Sequence, residues 1–98
     1  MSLSARLQHT LRDQLERPSP THITLLRLSV LRMATKLGER LEAVAPGSWE
    51  HRWMASVRQR AMAAAVDELV ALALELQREL AQWHRTGSVG QTADLDAA

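Results

Sequence analysis

Residues 61–83 read AMAAAVDELVALALELQRELAQW, and the spacing of their apolar side chains decides the fold class. Met62, Val66, Leu69, Ala73, Leu76, Leu80 and Trp83 follow one another in alternating steps of four and three. That is the heptad pattern of a coiled-coil seam. Val70, Leu72 and Leu74 widen the seam beyond a two-stranded zipper. Ala61, Ala63, Ala64 and Ala65 form a small-residue patch where a second helix backbone can come close. Upstream, Ser48 has the chemistry of an N-cap, and Glu50 complements the helix dipole from the first turn. The pattern therefore predicts one long helix over residues 49–84, more than about 50 Å at 1.5 Å per residue.

Working outward, two breaks precede that segment. Pro46-Gly47 separates it from a second helical run, and Pro18-Ser19-Pro20 separates the second from a first. The second run covers residues 22–44, with Thr21 as N-cap. Ile23, Leu25, Leu26, Leu28, Val30, Leu31 and Met33 crowd its first half, broken by Arg27, Ser29 and Arg32, and predict neighbours on several sides. Only Leu37, Leu41 and Val44 hold a stripe in its second half, which predicts a helix leaving the core. The first run covers residues 4–16, and Leu3, just before it, opens a repeat of Leu7, Leu11 and Leu15 at intervals of four. So short a helix is marginal alone in water and must dock.

The whole is an all-α reading: a long helical hairpin with a short N-terminal helix, dimerising into a helical bundle. Residues 1–86 form a single helical domain, and residues 87–98, without periodicity, a disordered C-terminal tail. The dimer follows from supply. A chain of 98 residues without Phe, Tyr or Cys has few means to close a small core. The predicted interface consists of Leu26, Val30, Met62, Val66, Leu69, Ala73, Leu76, Leu80 and Trp83.

Composition excludes several functions. The absence of Cys removes disulfide scaffolds, thiol nucleophiles and thiolate zinc sites. A net charge of +1 gives no bulk attraction to nucleic acid or anionic lipid. No run reaches the roughly 18 apolar residues of a membrane span, and the first residues lack a secretory signal, which predicts a cytoplasmic protein. His9 and Asp13 form a lone i,i+4 pair, and no other His and carboxylate share a helix face. We expect no metal, no cofactor and no catalytic residues.

Two nucleic-acid readings compete with the interaction reading. Residues 33–38 (MATKLG) are similar to the Ala-x-x-x-Gly signature of phage-repressor helix-turn-helix domains, which implies DNA binding. Glu39, however, stands where that turn is apolar. Pro46 would fall inside the recognition helix at a cost of about 3 kcal/mol. An uninterrupted helix through Gly38 fits better. Arg52, Trp53, Arg58 and Arg60 form the second candidate, an Arg/Trp surface around residues 49–60 for phosphate and base contact. The favoured expectation is a non-enzymatic protein–protein interaction module, a regulator, anti-activator or chaperone/adaptor acting on a protein partner through apolar helix faces.

Overall fold

The computed structural model describes residues 2–86, apart from the side chains of His84 and Thr86. The tail expected at 87–98 lies outside the described residues. Four helices follow in order: α1 (Leu3–Glu16), α2 (Pro20–Val44), α3 (Trp49–Ala63) and α4 (Val66–Thr86), with no strand among the described residues. The all-α class therefore holds.

The first three helices each begin on a serine. The hydroxyls of Ser2, Ser19 and Ser48 accept from the N–H groups of Ala5, His22 and His51 at 3.0, 3.0 and 3.2 Å. Each satisfies one donor that the helix cannot pair for itself. For α2 the cap is Ser19 rather than Thr21. Pro20 then occupies the first turn, where a fixed φ and a missing N–H cost nothing. Across the α1–α2 turn, the buried Gln14 side chain accepts from the Ser19 N–H at 3.4 Å. Gln14, not Leu15, is the fourth buried position of α1, and Leu15 is 54% exposed. A four-residue step advances 400° on a helix, so a strict i,i+4 stripe drifts by about 40° per step and leaves the core.

In α2, Leu26, Ser29, Val30, Met33, Ala34, Leu37 and Leu41 make one continuous buried stripe. Leu37 and Leu41 are fully covered, whereas Leu25 and Leu28 stand in solvent. The expectation of neighbours on several sides holds, since α2 packs against α1, α3 and α4, with Ile23 and Leu31 partly buried beside the stripe. The expectation of a second half leaving the core is corrected, because the buried stripe runs from Leu26 to Leu41. Helix α2 also runs unbroken through Gly38, so a helix-turn-helix is absent here.

Between α2 and α3, the Ser48 N–H donates to the Ala45 carbonyl at 3.2 Å, with Pro46 second and Gly47 third at φ 77°. This is the pattern of a type II turn, which needs a residue tolerant of positive φ in third place.

The main correction concerns the long third helix. Helix α3 ends at Ala63, Ala64 is extended at φ −67° and ψ 137°, and α4 begins at Val66. A continuous helix over 49–84 would exceed about 50 Å, while the longest dimension of the molecule is 37 Å. Helix α4 folds back instead, bringing Trp83 edge-on to Trp49 and Trp53 at ring-centroid distances of 6.0 and 5.8 Å. It packs on α1, α2 and α3 and closes the core.

Candidate functional site

Most of the seam is used inside the chain. Leu69, Leu72, Ala73, Leu76, Leu80 and Trp83 of α4 are buried together with Leu26 and Val30 of α2, Leu7 of α1, and Met54 and Val57 of α3. Of the nine residues expected at a subunit interface, Leu26, Val30, Leu69, Ala73, Leu76, Leu80 and Trp83 are buried within the chain's own core. Trp83, the largest fully buried side chain, supplies volume that Phe and Tyr do not. Only Met62 and Val66 remain outside, 64% and 46% exposed. Both lie at the elbow between α3 and α4.

The elbow has no glycine or proline. It is bonded by Arg27, half-buried on α2, whose Nη1 donates to the Ala61 carbonyl at 2.6 Å and whose Nη2 donates to the Ala64 carbonyl at 2.8 Å. Those carbonyls would otherwise be unpaired at the end of α3, where a cation also complements the helix dipole. Sequence reasoning noted Arg27 only as a polar break in an apolar run. That interruption was the available signal. Beside the elbow, Arg60, Ala63, Ala64, Glu68, Ala71 and Leu72 line a groove of about 380 Å³.

The Arg/Trp surface is dispersed. Arg52 Nη1 donates to the Gly47 carbonyl at 3.0 Å, and Arg60 pairs with Glu75 at 3.3 Å. Trp53 is half-buried against Trp83. Arg58 is exposed but lies on another side of α3, since 100° per residue carries it away from Arg52, Trp53 and Arg60. Two of the three arginines thus have partners within the chain, and the indole is engaged.

His9 and Asp13 meet at 3.4 Å on the surface of α1. Among the described residues no three His, Asp or Glu side chains converge as a metal site would require. No described helix is long and apolar enough to cross a membrane.

A second groove, of about 310 Å³, runs between α1 and α4. Leu15 and Leu74 line it as two half-exposed leucines, Leu11 forms part of its wall, and Arg12, Glu16 and Gln77 surround them. Sequence reasoning placed both leucines among core or seam positions. Each is displaced onto the surface by the same helical arithmetic that buries its neighbours.

Comparison with known proteins returns no match: no family model, no curated protein and no solved structure is similar to this chain.

Proposed function

We propose that the chain is a non-enzymatic helical protein–protein interaction module, a regulator, anti-activator or adaptor that holds an apolar helix of a protein partner. The observation carrying this reading is the α1–α4 groove. Its two leucines stay outside a core that is already closed by the chain's own side chains. An amphipathic helix laid along it would cover Leu15 and Leu74 with apolar residues spaced by one or two turns. Arg12 and Glu16, one turn apart on the rim, favour a partner carrying an acid and a base in the complementary order. The step from a small bundle to regulator or adaptor is an analogy of build, not of site chemistry.

The test is affinity capture from the native host, comparing the parent with Leu15→Glu/Leu74→Glu. Both sites are half-exposed, so the double variant should keep its helicity by circular dichroism. It should lose the protein captured by the parent. Capture that is indifferent to the double variant would sink the proposal. The competing reading, nucleic acid held by Arg52, Trp53, Arg58 and Arg60, makes a different prediction: affinity falling steeply with salt, unaffected by the leucine changes.

A further inference from the structure

We infer that α4 is an exchangeable arm: two copies of this chain can straighten their elbows and swap α4, each completing the other's core. Three independent features converge on the elbow.

The first is local preference. Residues 61–65 read AMAAA, a run of strong helix formers, yet the closed chain interrupts it at Ala64. Helix α4 begins on Ala65, which has no side-chain acceptor, whereas α1, α2 and α3 each begin on a capping serine. No glycine or proline interrupts the run; only the charges Arg60, Asp67 and Glu68, which complement the dipoles of two separate helix ends, favour the break locally.

The second is the latch. In a continuous helix the Ala61 and Ala64 carbonyls would accept from the N–H groups of Ala65 and Glu68. Arg27 occupies those same two carbonyls. The guanidinium and helix continuation compete for one pair of acceptors, so the elbow has two discrete arrangements.

The third is the unused end of the seam. The heptad steps run without a fault from Met62 through Val66 into the buried positions of α4. Met62 and Val66 are the two members left in solvent by the fold-back. Straightened, both come into line with Leu69 and Ala73. Two such helices crossing antiparallel would meet at their elbows on the two-fold axis. There the exposed Ala63 and Ala65, which flank the seam, permit close approach, and the four exposed Met and Val side chains cover one another. Each α4 would then lie in the partner's bundle with the contacts it makes at home. A groove lies beside the elbow, lined by Arg60, Ala63 and Ala64 of the α3 end and by Glu68, Ala71 and Leu72 of α4.

The chain contains no cysteine, so thiols introduced by Leu15→Cys and Leu74→Cys would be the sole sites for a short bis-maleimide bridge. These positions line one groove but belong to α1 and α4. The bridge therefore closes within one chain in the monomer and between two chains in the exchanged dimer. The full-length protein is unfolded in urea, refolded at micromolar or millimolar concentration, bridged, and run on a denaturing gel. A covalent dimer whose share rises with refolding concentration is the expected result.

Val66→Pro is the selective control. Proline suits the first position of α4 but would remove an N–H and clash inside a continuous helix. It should fold with parental helicity and lower the covalent dimer share roughly tenfold or more. Arg27→Met should raise that share. Should Val66→Pro fail to fold, Ala65→Gly takes its place, since glycine is tolerated at an N-cap and unfavourable in a helix interior. Bridges that form only within chains at every concentration, or a dimer share indifferent to both elbow variants, would overturn the inference.

Discussion

Ala65→Ser should stabilise this protein, and the sign of the effect tests the fold-back itself. Ala65 is exposed and precedes the first turn of α4, with its carbonyl accepting from the Leu69 N–H at 2.8 Å. A serine there would read Ser-Val-Asp-Glu into α4, with Glu68 at the third helical position. That is a capping box, in which serine accepts from the Glu68 N–H and the Glu68 carboxylate reaches back to the N–H of residue 65. Serine in place of alanine at an N-cap contributes about 1 kcal/mol. No core contact is lost to set against it. For a domain of this size, that corresponds to a rise of about 4–8 °C in melting temperature. In an unbroken helix the same serine would sit mid-helix and be worse than alanine by about 0.5 kcal/mol, so the shift would be downward. Thermal unfolding followed by circular dichroism or calorimetry distinguishes the two. A lowered melting temperature, with Ser48→Ala lowering it as an N-cap loss should, would refute the elbow at Ala64.

Gly38 and Gly47, the glycines among the described residues, make a matched pair. Gly38→Ala should stabilise by up to about 1 kcal/mol, because Gly38 is inside α2 and a Cβ there meets only Met54 Cγ at 4.0 Å. Gly47→Ala should destabilise by about 1 kcal/mol with no steric contact at all, because φ is +77°; urea midpoints of equal sign would contradict the turn. Leu26→Asp and Leu41→Asp should be equally disruptive, since both side chains are fully buried and each would place an unpaired carboxylate in the core. A folded Leu41→Asp beside an unfolded Leu26→Asp would restore the picture of a helix leaving the core. Arg27→Met should cost about 2–3 kcal/mol in urea unfolding of the monomer, from two charge-assisted bonds to carbonyls that are then left unpaired.

Where an element is set by local chemistry, it could be read from the residues alone. Pro18-Ser19-Pro20 and Pro46-Gly47 mark both loops they were expected to mark, and Ser48 caps the helix it was expected to cap. The readings that failed depended on phase or distance. Thr21 and Ser19 are both competent caps, and Ser19 takes the role, its hydroxyl accepting from the His22 N–H with Pro20 in the first turn. The leucines of α2 are dense enough that composition alone cannot say which face is covered. Leu25 and Leu28 look as central as Leu26, yet 100° per residue places them outside the arc defined by Leu26, Val30, Met33, Leu37 and Leu41. Leu15 and Leu74, which line the proposed binding groove, were hidden for the same reason. A surface leucine inside an amphipathic pattern differs from a core leucine only in phase.

The elbow is a different kind of failure. A heptad seam specifies which face of a helix must be covered, but not whose residues cover it. An alanine-rich run with no breaker then favours continuing the helix, which leads to a partner molecule. The fold-back is instead held by a guanidinium 34 and 37 residues away in the chain, and no window of local sequence contains that pair. The consequence is an asymmetry in how the bundle is secured. The turns after α1 and α2 carry their stop and cap signals in their own residues: Ser19 with Pro20, and Gly47 with Ser48. The turn before α4 draws on a side chain of α2, since Arg27 bonds the Ala61 and Ala64 carbonyls at the end of α3. Of the three connections in this bundle, the elbow is the one whose free carbonyls are taken by a single distant side chain rather than by its own residues.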